Sequence, residues 1–577
     1  MTNYTLDASG SSCYSETTLC CPPKRPTFGT VLAAGSLLIA ACGSGSSGQN
    51  VNATSATLRV AAAASGPFTQ TFNPLLSSSS NTVGFANFAL YEPLLEDDFA
   101  HDTNRPWLAT SFSWEDGGKT LHLQVRKGVT WHDGQPMTAD DVAFTFELVR
   151  KNAAFNTYGL PLAGATSPAP DQVLVTFTQP SYQVMWWRTP VVPKHVWANV
   201  ADPVKYVDTN AIGTGPYMLK TFTPQVITMV KNPHYWQPGE PNVGTVQYLS
   251  FESVESMLTS FEAGQVDWIG VSAIDPRPIA NHDRAHIAYW ETKPTNAVVE
   301  LLPNYTVYPL NQTPVRRAIS LALDRGAISK TGTGGQNLPL QSPTGLDVAA
   351  RADLIDPAYK NLRYGAADPS GAKKELTAAG FKLGSDGVFL TPEGKRLELQ
   401  LMLPTSNPYG DFVRASQVIV RELKDAGISI TVKTQSQVAW RDDTDLGNYQ
   451  LTLRPLGGTL STYDYFDRIF SQDQLVAPGK KALRNWSRYK NAEGSPLLKQ
   501  YAVSAPGSAG EKQSLAGLEK LMVEEVPVIP LFFTSGIGFF RTSTVRGFPS
   551  QNDPYAVPVP DSVNAAIVLG RVRAGGK

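Results

Sequence analysis

Hydrophobic and polar positions alternate with period two on both sides of an Asp/Gly turn early in the chain. The residues are Phe112-Ser113-Trp114, then Asp116-Gly117-Gly118, then Leu121-His122-Leu123-Gln124-Val125. Alternation puts the apolar side chains on one face of a pleated ribbon, so this stretch predicts a β-hairpin. Leu58-Arg59-Val60-Ala61 reads as another strand, ended by the loop residues Phe72-Asn73-Pro74. The period becomes helical after Thr138-Ala139-Asp140-Asp141, which has the form of a capping box with Asp in the Glu position. Further helices are predicted over 314–328, 372–379 and 411–426, and strands over 397–403 and 428–432. Gly427 stops the helix before the last strand. The order strand, helix, strand around 397–432 reads as a crossover unit and places the chain in the α/β class. Pro-rich joints at 161–170, 294–314 and 548–560 are the candidate crossings between lobes.

The N-terminal pattern is different. Lys24 and Arg25 precede an apolar run over 28–41, which ends Ile39-Ala40-Ala41-Cys42. A membrane-spanning helix needs about 20 apolar residues, and this run is shorter. It fits the apolar region of a signal peptide. The ending resembles a bacterial lipobox, so residues 1–41 are expected to be a lipoprotein-type signal peptide and Cys42 the lipidated first residue. Residues 42–56 continue as a Gly/Ser/Asn tether. The expected location is extracytoplasmic, anchored by lipid to the outer face of the cytoplasmic membrane.

Composition removes several classes of function. The 577 residues carry 49 Lys+Arg against 50 Asp+Glu, a net charge of −1, which lacks the basic excess of a nucleic-acid binder. The four cysteines, Cys13, Cys20, Cys21 and Cys42, all lie in the first 42 residues and the remaining 535 carry none, so neither a disulfide scaffold nor a cysteine-ligated metal is expected. His282 and His286 stand four apart without the Glu of a zinc-protease motif. Lys330-Thr331-Gly332 matches one β-lactamase element, but it precedes both S-x-x-K matches, at Ser370 and Ser487. No catalytic residue, metal site or cofactor is expected.

The stretch 106–149 carries Arg126-Lys127-Gly128-Val129, Trp131-His132-Asp133-Gly134, Pro136, Thr138-Ala139 and Asp141-Val142. It closely resembles the signature of the family 5 extracellular solute-binding proteins, the peptide, dipeptide, nickel and oligosaccharide receptors of ABC importers. Matches continue in family order with Leu90-Tyr91-Glu92-Pro93-Leu94, Gly213-Thr214-Gly215-Pro216-Tyr217, Lys231-Asn232-Pro233 and Val526-Pro527-Val528-Ile529-Pro530-Leu531. The resemblance covers the chain from residue 58 on. It implies a two-lobe periplasmic-binding-protein (Venus-flytrap) α/β fold of the large peptide-binding type with an extra subdomain. Lobe I is then expected over 57–96, 211–302 and 531–577, the subdomain over 97–210 and lobe II over 303–530, with hinge crossings at Pro303 and Leu531. The implied partners are a ligand, the permease and ATPase subunits of the importer and the membrane that holds the lipid, with the receptor itself a monomer.

The ligand implied first is an oligopeptide. Peptide receptors of the family hold the peptide ammonium with an Asp, and the matching stretch here places Thr459 at that position, with Asp464 close by. Gly458, Tyr463 and Tyr465 in the same segment resemble the oligosaccharide-binding branch, which makes a β-linked oligosaccharide the alternative. Trp268, at the end of an apolar segment where α/β sheets present side chains to ligands, is expected to face this segment from lobe I.

Overall fold

The computed structural model describes residues 2–4, 56–61, 66–76, 84–98, 103–271, 274–292, 297–346, 353–405, 410–457, 461–473 and 475–575. Two large sheets organise them. The first has seven strands in the spatial order Ile287–Thr292, Gly536–Arg541, Trp268–Val271, Thr57–Ala61, Thr245–Leu249, Val226–Lys231 and Tyr217–Phe222. Thr57–Ala61 lies at its centre, parallel to both neighbours, and every other pairing is antiparallel. The second has five strands, Ser429–Gln435, Glu398–Pro404, Leu451–Gly457, Ala297–Pro303 and Ile529–Phe533. Glu398–Pro404 and Ser429–Gln435 are parallel, joined through the helix Gly410–Asp425. That is the crossover unit the sequence pattern predicts.

The smaller third sheet belongs to the subdomain. Ala109–Glu115 and Thr120–Val125 form the expected hairpin, extended by Gln172–Phe177 and Leu162–Ala169, with Thr2–Tyr4 along the outer edge. The helix Ala139–Lys151 packs on this sheet. Its cap forms as the sequence indicates: the Thr138 amide donates to Asp141 Oδ2 at 2.9 Å. The subdomain has no separate core, because Trp131, Val142, Phe146 and Val175 share one apolar cluster with Leu58 and Trp268 of lobe I. Lobe II has a core of its own that includes Val298, Leu301, Ile419, Trp440, Phe466 and Leu531.

Three segments of the family signature meet at one junction. The Gly213 amide donates to His132 Nδ1 at 3.1 Å, and His132 Nε2 lies 3.1 Å from the Gly215 carbonyl oxygen. Burial pushes the His132 imidazole down to about 4, so it is neutral and bridges the two glycines as a structural link. A Cβ on Gly213 would lie 1.8 Å from the Leu90 carbonyl oxygen, so only glycine permits this approach.

The crossings between lobes differ from the expected Pro303 and Leu531. Ala297–Pro303 and Ile529–Phe533 are both strands of the second sheet, paired with each other. Thr292 thus ends the last strand of the first sheet before Ala297 opens one in the second, and the chain goes back from Phe533 to Gly536. The physical reason is the apolar run Val298 to Leu302, whose side chains lie in the lobe II core save for Glu300. The return crossing is fastened where Ser535 donates through both its amide and its hydroxyl to Asn337 Oδ1, at 2.8 and 2.9 Å. The predicted helix 314–328 is also two helices, Thr313–Ala322 and Arg325–Thr333, because the Asp324 side chain accepts from the Ala327 amide and starts a new one.

Candidate functional site

A cavity of about 1270 Å³ lies between lobe II on one side and lobe I with its subdomain on the other. Sites for drug-sized ligands hold about 300–1,000 Å³, so this space suits a larger, extended molecule. Lobe I contributes the segment 91–97, and the subdomain contributes the loop 153–161. Lobe II contributes side chains from the helices Thr462–Phe470 and Gly494–Val503 and from the segment 481–486.

On the lobe I wall Glu92 and Glu96 are buried and accept from neutral donors. Glu92 is 1% exposed, and its Oε1 accepts from Trp107 Nε1 at 2.7 Å and from the Tyr235 hydroxyl at 2.8 Å. Trp236 Nε1 donates to both oxygens, at 3.2 and 3.1 Å. Burial outweighs these bonds and raises Glu92 to about 7. Glu96 is raised to about 8 by burial and by the neighbouring charge of Asp97. Asp97 itself pairs with Arg188 and accepts from Trp187 Nε1 at 3.0 Å.

The lobe II wall is built from arginines and aspartates. Arg454 pairs with Asp445 at 3.0 Å and lies over the Trp486 ring, 3.9 Å from its centroid. Arg468 Nε donates to Asp464 Oδ2 at 2.7 Å, and Arg484 Nε donates to Asp467 Oδ2 at 2.8 Å. Burial opposes ionisation of Asp464. The charges of Arg468 and Arg484, with Arg188 from the other side of the cavity, nevertheless hold its carboxyl below the ordinary value. Charge-assisted pairs of this kind fix side-chain orientation as well as charge.

The sequence-predicted site residues divide. Tyr463 lines the cavity and packs edge-on against Tyr501, with ring centroids 5.8 Å apart. Asp464, 2% exposed, sits behind it in the arginine network. Tyr465 turns inward, 3% exposed, and its hydroxyl donates to Glu300 Oε1 at 2.6 Å. Trp268 is not at the cavity. Its side chain is 0% exposed, and its Nε1 donates to the Pro558 carbonyl at 2.7 Å, with Phe548 packed beside it. The C-terminal segment covers the strand end that Trp268 occupies, so the indole is a core group of lobe I. Gly458, Thr459 and Cys42 lie outside the described residues.

Sequence reasoning missed Arg188, Arg454, Arg484 and the loop 153–161 as cavity walls. Glu92 was visible only as part of a family motif. Among the described residues no group of three His, Cys, Asp or Glu side chains is arranged to hold a metal ion. No helix among them is long and apolar enough to cross a membrane.

Comparison with known proteins agrees with this architecture. The oligopeptide-binding protein AppA of Bacillus subtilis is 27% identical over 454 residues, 74% of this chain and 78% of its own. A probable peptide-binding protein, YejA, of Agrobacterium fabrum is 22% identical over 552 residues, 86% of this chain and 88% of its own. The periplasmic oligopeptide-binding protein of Thermotoga maritima superposes with a TM-score of 0.80 at 24% identity, covering 91% of this chain and 100% of that one. In a second crystal structure, the same Thermotoga protein holds mannohexaose, with a TM-score of 0.76 at 24% identity over 90% of this chain and 99% of that one. The AppA structure, in complex with a nonapeptide, superposes with a TM-score of 0.70 at 22% identity over 88% of this chain and 98% of that one. The family model for bacterial extracellular solute-binding proteins, family 5, matches residues 103–475, and the chain belongs to that family.

Proposed function

We propose that this protein is the extracytoplasmic receptor of an ABC importer, capturing oligopeptides between its lobes and delivering them to a membrane permease without making or breaking a bond. The observation that carries this reading is the cavity of about 1270 Å³ with walls from both lobes, which are joined by two crossings. A ligand touching both walls stabilises the closed arrangement, and the permease recognises that arrangement. The names of the peptide-binding relatives and the nonapeptide held by AppA support an oligopeptide cargo. Lipidation at Cys42 keeps the monomeric receptor at the outer face of the membrane, beside its permease and ATPase partners. Replacing Cys42 with Ser is expected to abolish lipid labelling and release the protein into the soluble fraction.

A second reading, an oligosaccharide cargo, has one observation in its favour. Asp464 is engaged by Arg468 and Arg484, so its carboxylate is already matched by two cations rather than turned to a peptide ammonium. Calorimetry with a mixed-sequence nonapeptide pool, the same pool N-acetylated, and mannohexaose separates the two. The peptide reading expects saturable binding of the free pool, and it expects acetylation to weaken binding less than about tenfold, because no free carboxylate is lost to the amine. Binding of mannohexaose alone would replace the peptide by the sugar.

A further inference from the structure

Among the described residues, side-chain hydrogen bonds from Arg484 and from Gln183 join lobe II to the subdomain. Beside the cavity Arg484 Nη2 donates to the Thr157 carbonyl oxygen at 3.2 Å. Elsewhere between the same two units Gln183 Nε2 donates to the Ser504 carbonyl at 3.2 Å and to Glu511 Oε1 at 3.0 Å. Both ends of the first contact are also held by neighbours on their own side. The Arg484 guanidinium is oriented by Asp467 at 2.8 Å, by Asp464 at 3.5 Å and by the Leu483 carbonyl at 3.2 Å. Thr157 sits in a turn closed by the Asn156 side chain, which donates to the Leu160 carbonyl at 2.8 Å and accepts from the Leu160 amide at 2.7 Å. A planar guanidinium fixed on two carboxylates offers its remaining N–H in one direction, so little freedom is lost when the carbonyl arrives.

We propose that Arg484 is a positioning residue that latches the subdomain loop 153–161 onto lobe II, with Gln183 as a second latch between subdomain and lobe II. Arg484 is bound to Asp464 and Asp467 of the helix Thr462–Phe470, the same helix that presents Tyr463 to the cavity. A shift of that helix therefore reaches the loop covering the cavity through a single side chain. The latches join protein to protein, so they favour the closed arrangement in the chain alone. Cargo then enters during transient opening, and loss of the latches raises the rate at which it leaves. This concerns closure and holds whether the cargo is a peptide or a sugar.

The test uses the purified full chain with no ligand added. Hydrogen exchange of the loop 153–161 and the radius of gyration from X-ray scattering are compared for wild type, Arg484→Ala, Arg484→Lys, Gln183→Ala and the Arg484→Ala/Gln183→Ala double variant. Arg484→Ala is expected to speed loop exchange by about tenfold, as for loss of one charge-assisted hydrogen bond. The double variant is expected to show a larger radius of gyration, and Arg484→Lys to restore part of the protection. Amides of the strand Leu451–Gly457 should keep wild-type exchange throughout. Gln183 lies outside the arginine network, so its variant reads closure even where Arg484→Ala folds poorly. Wild-type loop exchange and radius in Gln183→Ala and in the double variant would overturn the proposal. So would exchange that rises equally in Leu451–Gly457, since Arg484 would then hold lobe II together rather than hold the cavity shut.

Discussion

The two walls of the cavity solve the problem of buried charge in opposite ways. On the lobe I wall Glu92 and Glu96 are desolvated, bonded to indole, phenol and amide donors, and raised to about 7 and about 8. On the lobe II wall Asp464 stays ionised, with its carboxyl held low by Arg468 and Arg484. Glu92 and Glu96, packed among aromatic rings, mark a packing junction, and Glu92 belongs to the family signature. A wall of preorganised ion pairs keeps its charges at fixed positions without leaving them unpaired. The difference separates a wall that packs from a wall whose charges are fixed in pairs behind the cavity surface.

The largest expected effect lies on the packing side. Trp107→Ala removes a buried indole and leaves Glu92 without its shortest donor, at an expected cost of about 3–5 kcal/mol in denaturant unfolding. A cost below about 1 kcal/mol would show that the lobe I wall is not a packing junction. Asp464→Asn comes next, with an expected loss of about 1.5–3 kcal/mol as its charge-assisted bonds to Arg468 and Arg484 weaken. Stability equal to wild type would mean that the network does not order the lobe II wall. For binding, Tyr463→Ala is expected to weaken the nonapeptide pool by roughly 1–3 kcal/mol through lost apolar burial, as read by calorimetry. Trp268→Ala should lower stability and leave affinity in the correctly folded fraction unchanged, and the opposite outcome would return Trp268 to the cavity.

Changes with pH distinguish the walls by sign. Glu96 binds its proton more tightly when folded, so its contribution is full below about 4.5 and is lost as pH rises through about 8. Glu96→Gln should remove a falling slope in that window of up to about 1.4 kcal/mol per pH unit. Asp464 is held low when folded, so its contribution is present above its unfolded value and is lost on acidification. Asp464→Asn should flatten the acid side only. Identical pH profiles for the two variants would erase the contrast between the walls.

Much of the architecture is legible in the chain because it depends on local pattern. The hairpin at 109–125, the Thr138 cap and the crossover at 398–435 rest on period, capping chemistry and a helix-stopping glycine, all within a short span. The site is less legible because its partners are distant. Trp268 opens the apolar strand Trp268–Val271 rather than ending one, and the carbonyl that takes its N–H belongs to distant Pro558. Asp464 reads as a candidate ammonium partner until Arg484, 20 residues on, is found beside it. The crossing positions shifted for a related reason. Pro303 looks like a boundary in sequence, whereas pairing with Ile529–Phe533 assigns the strand before it to lobe II.

Capture of an intact peptide between the two walls is read most directly by native mass spectrometry of the full chain, before and after denaturation. The expected result is one peptide-sized adduct per chain that is released unchanged on unfolding and is regained when the nonapeptide pool is added to the stripped protein. A stripped protein that takes up no peptide, or a bound peptide that leaves as cleaved product, would contradict it.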